Sequence, residues 1–337
     1  MLTETRSRKI IGLDLGGTCV NVTAYDGSGF PIEDLCELPS RVKEGPDVCE
    51  GQLVAAYHRG LELTGWGNEE VEAVGLDTPG PSSGAGVLCA TGATNFGHAG
   101  YGNYDIRGAF AGAINKPVSY LNDGNAAALY AHWMSFGDDT QKTSVSLIVG
   151  TGLGGGIVVG GRVVVGRVGF GAELGHVGLP VDWNPMERFD ARCNCGRVSD
   201  LESIASLTGI ELNLLPHYLP RYPGHPLADL PIGDAAKKLR GYAIQGDVMA
   251  REIFQAQCWA LAAHIDQMIN VLDMDAVFIG GGVVEASEEF RNWYLERIRA
   301  AIPFRVEQKD LQIDIVPHGD RAGGRGAAVY AAQLSSA

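Results

Sequence analysis

Short apolar runs bounded by glycine, proline, asparagine or aspartate recur along the chain and predict buried strands. In the first part of the chain they are Lys9–Leu13, Val20–Tyr25, Val71–Leu76 and Val118–Leu121. Further along they are Val145–Val149, Ile157–Val159, Arg162–Val165, Ala276–Ile279 and Ile313–Val316. Runs of this length, rich in β-branched residues and flanked by turn residues, are typical of strands.

Apolar residues at helical spacing predict helices between these strands. The predicted helices are Asp47–Leu63, a helix capped by Asp105 that runs through Ile114, the segment that follows Asn125, Asp247–Leu272, a helix from about Ser287, and Gly323–Ala332. Leu215–Pro231 is rich in proline and is expected to be a surface excursion. The chain is therefore expected to mix strands with helices.

Two stretches share the plan of strand, glycine turn and strand. The first contains DLGGT at Asp14–Thr18, and the second contains GTGLGGG at Gly150–Gly156, with a Gly160-Gly161 turn after it. Because glycine has no Cβ, the backbone amides of such turns approach a phosphate closely. The repeat predicts a duplicated domain with two phosphate-facing hairpins across a cleft.

Two other glycine-rich stretches match known motifs in sequence, but the elements predicted around them differ from those that the motifs require. Gly150–Gly155 satisfies the dinucleotide-binding fingerprint, which requires a helix directly after the glycines, whereas a strand pattern follows here. Gly80–Gly84 matches the nucleophile elbow of hydrolases, which requires a strand-to-helix turn, and the AGVL that follows has no helical period. We therefore disfavour both, and expect Gly80–Gly84 to form a wall of a pocket.

Composition narrows the class of protein. The 337 residues suffice for two domains, and 45% hydrophobic with 20% charged residues is typical of a soluble globular chain. A net charge of −14 argues against nucleic acid as a partner. No apolar run has membrane-spanning length, so no membrane is expected, and seven cysteines, an odd number, favour a reducing cytoplasm.

Two aspartates follow buried strands and are candidates for phosphate chemistry. Asp14 suits a carboxylate facing Mg²⁺ bound to a nucleotide, although an ordinary turn aspartate is an equal alternative. Asp123 lies at the carboxyl end of a strand, where α/β sheets bind ligands. It suits a general base that accepts the proton of an attacking alcohol, and its alternative role is that of a helix N-cap.

A second candidate site lies in the middle of the chain. Cys193 and Cys195, with His176 upstream, are three plausible zinc ligands, and Asp200 supplies a fourth. A single Cys-x-Cys pair is equally typical of two ordinary thiols, so spacing alone leaves the metal open.

In order along the chain, these motifs resemble those of the ROK family (repressor, open reading frame, kinase), in particular its glucokinase-like sugar kinases, within the sugar kinase, actin and Hsp70 superfamily. The matching segments are Asp14–Thr18, Asn122–Ala128, Gly150–Gly156, Glu173–His176 and Cys193–Glu202. The resemblance implies a two-domain α/β fold of the ribonuclease H-like (actin-like ATPase) type, with the active-site cleft between the domains. The expected domains are 1–121 plus 322–337 and 122–321.

The resemblance also implies roles for individual residues. The catalytic base is Asp123. The substrate-binding residues are Asn95, Asn122, Asp123, Glu173, His176 and Glu202. The nucleotide-binding residues are Asp14, Gly16, Gly17, Thr18, Thr151, Gly152, Gly281 and Gly282. The metal ligands are His176, Cys193, Cys195 and Asp200.

This chain departs from the family pattern at two places. The zinc motif of the family usually reads Cys-x-Cys-Gly-x-x-Gly-Cys, whereas Ser199-Asp200 stands at its last two positions here. Zinc is then either held with a carboxylate as fourth ligand, which its chemistry allows, or bound weakly or not at all. Cys19 stands where a lysine often follows the Gly-Gly-Thr turn, so that contact is not assumed.

The resemblance implies an ATP-dependent hexose kinase that uses Mg²⁺, with glucose as the default substrate and glucose 6-phosphate as product. Mannose, fructose or an N-acetylated hexosamine are alternative substrates, and polyphosphate is an alternative donor. A sugar-responsive transcription factor is one alternative, disfavoured because only about eight residues precede the first strand and the chain is acidic. A non-catalytic sugar-sensing protein without a DNA-binding domain is another, disfavoured by the presence of Asp123 and both glycine turns. A cytoplasmic homodimer or homotetramer, with structural Zn²⁺, is expected.

Overall fold

The computed structural model describes residues 8–27, 33–89, 96–187 and 190–335. Asn95 and the Ser28-Gly29 part of a predicted turn lie outside these residues. Within them, no helix is both long enough and apolar enough to cross a membrane.

The first sheet contains five strands in the order β3-β2-β1-β4-β5. The strands are β1 Lys9–Leu15, β2 Cys19–Tyr25, β3 Glu33–Pro39, β4 Val71–Thr78 and β5 Val118–Asn122. β1 pairs antiparallel with β2 and parallel with β4, which in turn pairs parallel with β5. The carboxyl ends of β1, β4 and β5 therefore lie at one edge of this sheet.

The second sheet also has five strands, in the order β10-β9-β6-β7-β8. They are β6 Thr143–Val149, β7 Leu153–Val159, β8 Arg162–Val163, β9 Ala276–Gly280 and β10 Gln312–Ile315. In reverse, this order is β8-β7-β6-β9-β10, in which β6 takes the place of β1 and β9 that of β4. The predicted duplication is therefore confirmed in the strand order. One prediction needs correction, because β7 already begins at Leu153 and Gly154–Gly156 lie in the strand rather than in the turn.

Of the nine α-helices in the described residues, six correspond to predicted helices, and the three between residues 207 and 244 do not. The nine helices are α1 Pro46–Thr64, α2 Ile106–Ile114, α3 Asp123–Phe136, the single turn α4 Leu207–Gly209, α5 Leu215–Tyr218, α6 Ile232–Ile244, α7 Val248–Leu272, α8 Glu288–Ala301 and α9 Ala322–Leu334. Side chains at the predicted starts cap three of them, since Asp105 accepts the Gly108 N–H, Asp247 accepts the Ala250 N–H and Ser287 accepts the Phe290 N–H.

The proline-rich segment was expected to be a surface excursion and is helical instead. A π-helical turn at Ile210–Leu214 leads into α5, and short 3₁₀ turns follow at Leu219–Arg221 and Pro226–Asp229. The prolines occupy the first positions of these short helices, where a missing N–H costs no hydrogen bond. Leu215, Tyr218 and Leu227 are buried, so the segment contributes to the core.

The chain divides into two compact units. Among the described residues, the first unit comprises those up to Gln141, Gly156–Ala172 and those from Asp320 onward, and the second comprises Lys142–Gly155 and Glu173–Gly319. These units assign α3 to the first unit, whereas the division predicted from the sequence places it in the second domain. That predicted division remains a prediction.

Helix α9 completes the first unit by packing on β1, β4 and α3. The approach is close at glycines: a Cβ added to Gly75 would overlap the carbonyl oxygen of Ala327, and one added to Gly326 would overlap that of Ala126. Arg325, 9% exposed, donates to both carboxylate oxygens of Asp34 and to the Tyr130 hydroxyl. The helix is therefore held by backbone fit and by a largely buried ion pair.

Candidate active site

Three aspartates lie at the carboxyl ends of adjacent strands in the first unit. Asp14 of β1 is level with Asp77 of β4, and Asp77 is level with Leu121 of β5, two residues before Asp123. The carboxyl edge of parallel strands is where α/β sheets bind ligands. This edge therefore concentrates carboxyl groups where a metal-bound phosphate and an acid–base group are useful.

Asp14 and Asp77 form a carboxyl pair. Asp77 is fully buried, and this burial, followed by the charge of Asp14, raises the pKa of Asp77 well above its ordinary value. Burial also raises the pKa of Asp14, against the opposing effects of the neighbouring Asp77 carboxyl group and of Asn21, whose Nδ2 donates to Asp14 Oδ2 at 3.1 Å. Two carboxyl groups this close favour either a shared proton or a bound cation.

The first turn of α9 lies against this pair. A Cβ on Gly323 would be 2.9 Å from Asp77 Oδ2 and 3.2 Å from Asp14 Cγ, so only a residue without a side chain fits there unchanged. The amino end of a helix carries partial positive charge. The helix therefore stabilises negative charge on Asp14 and Asp77.

Asn122 and Asp123 begin α3. Asn122 is the N-cap, and its Oδ1 accepts the Gly124 N–H at 3.0 Å, whereas Asp123 is the first helical residue and its Oδ1 accepts the same N–H at 2.7 Å. The capping role considered for Asp123 thus belongs mainly to its neighbour. The predicted wall lies against Asn122, because a Cβ on Gly80 would be 2.8 Å from Asn122 Nδ2.

A buried chain of hydroxyl groups fixes this wall. The Thr78 and Tyr120 hydroxyl groups are hydrogen-bonded at 2.6 Å, and the Tyr120 hydroxyl donates to Ser82 Oγ at 2.7 Å. All three side chains are buried. The chain ties the residues on either side of Gly80 to β5, two residues before Asn122.

The two predicted phosphate turns are both tight. In the first, the Gly16 N–H donates to the Cys19 carbonyl at 2.8 Å, and Thr18 at its tip is exposed. In the second, the Gly150 N–H donates to the Gly152 carbonyl at 3.0 Å, and Thr151 is exposed. Each unit therefore presents one compact turn of backbone between two strands.

Gly281 and Gly282 lie beside the second turn. They follow β9, which pairs parallel with β6, and a Cβ on Gly281 would be 2.5 Å from the Val149 carbonyl oxygen, directly before Gly150. Gly281 has φ +82°, a conformation that favours glycine. The Arg240 guanidinium of α6 donates to the Gly282 carbonyl. The predicted phosphate and adenosine residues of the second unit thus share one sheet edge.

The four predicted metal ligands come together in the second unit. Their ligand atoms all lie within 4.8 Å of one another. His176 Nδ1 is 3.2 Å from Asp200 Oδ2 and 3.8 Å from Cys193 Sγ, and Cys195 Sγ is 3.5 Å from Asp200 Oδ2. Tetrahedral zinc with such ligands has edges of about 3.3 to 3.8 Å, so the donor set and spacing fit zinc.

The backbone near Asp200 accommodates the departure from the family motif. Ser199 adopts φ +56°, in the left-handed region that favours glycine, at a position where the family usually has glycine. The Gly178 and Asp200 backbones form a β-bridge, which places the fully buried Asp200 beside the segment that contains His176. The carboxylate therefore stands where the third cysteine of the family motif would be expected.

Glu173 and Glu202 adjoin this cluster. Glu202 Oε2 accepts the Leu153 N–H at 2.8 Å, and Cys193 Sγ donates to Glu202 Oε1 at 3.5 Å. Desolvation raises the pKa of Glu173. The nearby His176 lowers this pKa, and Glu202 raises it further. His176 directs Nδ1 toward the metal ligands, so Nε2 faces the opposite side of the ring.

The structure adds residues that the sequence did not single out. Asp77 has the same signal as Asp14 and Asp123, a carboxylate directly after a buried apolar run, but was given no role. Gly323 had no such signal, because its contact with the carboxyl pair joins residues more than 200 positions apart. The predicted substrate residue Asn95 lies outside the described residues.

Comparisons with known proteins show the family of this chain. The ROK family profile matches residues 10–334. A glucokinase of Thermotoga maritima is 32% identical over 282 residues, 83% of this chain and 84% of the relative. An N-acetyl-D-glucosamine kinase of Escherichia coli O127:H6 is 30% identical over 335 residues, 94% of this chain and 97% of the relative.

A solved structure shares the whole architecture. The ROK family glucokinase from Streptomyces griseus, in complex with glucose and AMPPNP, has a TM-score of 0.70 and 26% identity, and the match covers 96% of this chain and 99% of that one. The two sheets and their helices thus define an α/β protein of the ribonuclease H-like, actin-like ATPase class, as predicted. The chain belongs to the ROK family.

Proposed function

We propose that this protein is an ATP-dependent hexose kinase that converts glucose to glucose 6-phosphate, with Asp123 as general base. At the coarser level, it is a ROK sugar kinase, a phosphotransferase with an alcohol acceptor. The observation that supports the assignment most is the row of carboxylates at one sheet edge, with Asp123 opening α3 beside Asn122.

The proposed chemistry requires a base, a positioned phosphate and charge stabilisation. Asp123 accepts the proton of the sugar hydroxyl as its oxygen attacks the γ-phosphorus of ATP, and the bond to the leaving ADP breaks. The Gly124 N–H, which Asp123 Oδ1 already accepts, holds the carboxylate in one orientation. A fixed base within reach of the hydroxyl contributes roughly 10² to 10⁴-fold in rate.

We assign nucleotide binding to both glycine turns. Gly16, Gly17, Thr18, Thr151 and Gly152 approach the phosphates, and Gly281 and Gly282 lie near the adenosine. Asp14 faces the Mg²⁺ that accompanies ATP, and its donor chemistry fits, because hard carboxylate oxygens are what Mg²⁺ prefers. When bound, Mg²⁺ would neutralise charge that develops on the phosphates.

We assign hexose binding to Asn122, Glu173, His176 and Glu202, together with Asn95. Carboxylate, imidazole and amide groups form directional hydrogen bonds with sugar hydroxyl groups. Zinc held by His176, Cys193, Cys195 and Asp200 would fix the His176 ring through Nδ1. That leaves Nε2 to contact a hydroxyl, so the metal would act on substrate geometry rather than on the phosphate. A cytoplasmic homo-oligomer in carbohydrate phosphorylation is part of this proposal.

A second substrate class has specific support. The Escherichia coli relative, whose match covers nearly all of both chains, is an N-acetyl-D-glucosamine kinase. An N-acetylated hexosamine is therefore the alternative acceptor, and the same base and turns would serve it.

The test is ADP release over a panel of hexoses and N-acetylhexosamines with Mg-ATP. We expect turnover on glucose, and a loss of roughly 10²-fold or more in kcat for Asp123→Asn. Asp105→Asn is the matched control, because Asp105 caps α2 and asparagine caps a helix equally well. Absence of ADP release with every sugar, in protein whose thermal stability glucose still raises, would refute the kinase and favour a sensor.

A further inference from the structure

One continuous segment, residues 200–208, runs from the metal ligands to the second glycine turn, and we call it the connecting segment. At its start, Asp200 uses its two carboxylate oxygens differently. Oδ2 faces His176 and Cys195, whereas Oδ1 accepts the Ser203 N–H at 2.9 Å. Ser203 Oγ also donates to the Asp200 carbonyl at 2.6 Å. A metal bound at Oδ2 is thus joined directly to the fold of the segment.

The end of the connecting segment holds the glycine turn. The Leu207 N–H donates to the Gly150 carbonyl at 2.9 Å, and the Thr208 N–H donates to the Thr151 carbonyl at 3.0 Å. Thr208 Oγ1 donates to the same Thr151 carbonyl at 2.8 Å. Two successive peptide groups of the turn therefore take their orientation from α4.

The middle of the segment adds a side-chain connection. The Glu202 carboxylate contacts the turn through the Leu153 N–H and the metal ligands through Cys193 Sγ. Ser206 Oγ donates to the Glu202 carbonyl at 2.7 Å and accepts the Gly209 N–H at 2.8 Å. Leu201 and Ser206 are fully buried, so the segment has little freedom to bend between its ends.

Asn213 braces the segment from outside. Its Nδ2 donates to the carbonyls of Ser203 and Arg192, and its Oδ1 accepts the Arg192 N–H at 3.0 Å. Arg192 directly precedes Cys193. The π-helical turn Ile210–Leu214 places this amide, and such turns are frequent at functional sites.

We propose that the connecting segment couples the two sites, so that zinc at His176, Cys193, Cys195 and Asp200 raises the affinity of the second glycine turn for nucleotide phosphate. By linkage, the nucleotide raises zinc affinity by the same factor. Thr208 and Asn213 are positioning residues in this coupling and contact neither ligand. The inference rests on the proposed function in assigning nucleotide to the turn and zinc to the cluster.

The experiment measures Mg-AMPPNP binding to the full chain, without sugar, at controlled free Zn²⁺. We expect about tenfold tighter binding when zinc is saturating, within the range typical of coupled sites. For zinc-loaded protein, Mg-AMPPNP should also slow zinc transfer to a chelator, a reading that does not require the zinc-free protein to remain folded. Equal nucleotide affinity with and without zinc would overturn the coupling.

Thr208→Val separates coupling from simple binding. Valine keeps the shape and the backbone hydrogen bond but removes the Oγ1 bond to the turn, so the zinc effect on nucleotide affinity should fall to about threefold or less. Zinc affinity without nucleotide should not change. Thr64→Val is the matched control, because Thr64 Oγ1 makes the same kind of bond to the Gly60 carbonyl in α1, and it should keep the full effect.

The outcomes distinguish the two proposals. If hexoses are turned over but nucleotide affinity does not depend on zinc, the coupling is overturned and the proposed kinase activity stands. Failure to bind Mg-AMPPNP at any zinc concentration would overturn both. A full zinc effect in Thr208→Val would remove Thr208 from the coupling and overturn the positioning role given to α4.

Discussion

The two sheets have the same strand order, yet corresponding strand ends carry opposite chemistry. In the first sheet, β1 and β4 end with Asp14 level with Asp77. At the corresponding place in the second sheet, β6 and β9 bring Ile148 level with Gly280. One edge presents paired carboxyl groups, and the other presents an isoleucine and a glycine, with no charged side chain in this pair. Strand order thus determines where a site forms, and a few residues at the strand ends determine what it binds.

Two buried titratable groups, one in each unit, respond to burial in opposite ways. Asp77 of the first unit is an acid, His264 of α7 in the second unit is a base, and both are fully shielded from solvent. Burial disfavours the charged form of either group, so it raises the pKa of Asp77 and lowers that of His264 to about 4. The contributions of these two groups to stability should therefore change with pH in opposite directions.

The largest expected effect concerns α9, on which the first unit depends. Gly326→Ala places a methyl group into the Ala126 carbonyl and should destabilise the unit by about 3 kcal/mol, the upper range for overpacking. Gly112→Ala in α2 is the matched control: no described atom lies within 4 Å, so alanine should stabilise by roughly 0.5 to 1 kcal/mol. Denaturant midpoints measure both, and equal midpoints would show that α9 does not limit stability.

The next effect concerns His264. In the unfolded chain the pKa of this histidine has its ordinary value of 6.5, and burial lowers the pKa to about 4 in the folded protein. Stability is therefore lost as the pH falls from 6.5 toward 4. His264→Leu should remove about 2 to 3 kcal/mol of the loss between pH 7 and pH 4.5. His58→Leu, at an exposed position of α1, controls for losing a histidine. An unchanged pH slope in His264→Leu would contradict the assignment.

The smallest effect has the opposite sign. Because the pKa of Asp77 is raised in the folded protein, the native state retains a proton that the unfolded chain has released, and stability falls as the pH rises above 3.8. Asp77→Asn should therefore stabilise the protein at pH 8 by roughly 1 kcal/mol, and by less toward pH 4. Urea titrations at both pH values measure this, and a destabilised variant at pH 8 would indicate that the carboxylate is needed charged.

Local sequence patterns were sufficient for most of the fold. The predicted helix Asp47–Leu63 became Pro46–Thr64, and the predicted strand Ala276–Ile279 became Ala276–Gly280. The start of β7 was missed because glycine ordinarily weakens strands. Here Gly155 and Gly156 are needed, since a Cβ on Gly156 would overlap Ala128 of α3. Such contacts between distant residues leave no local signal.

The same distinction holds for the candidate site. His176, Cys193, Cys195 and Asp200 were selected by donor type and come together as expected. The hydrogen bonds of Thr208 to the glycine turn were not predictable, because a threonine at a helix start is common and its partner lies 57 positions away. The chemical type of a metal ligand can be recognised in a sequence. The hydrogen bonds between distant residues that hold a site in place can be recognised only in the folded structure.

The position of α9 in the chain also has a consequence for biosynthesis. Helix α9 follows the whole of the second unit, yet it covers β1 and β4, which are translated before the second unit. Until the ribosome has released residues 322–334, the sheet face around Gly12 and Gly75 has no covering helix. The first unit therefore cannot be complete until the second has been translated, and until then α9 is not available to cover its sheet face.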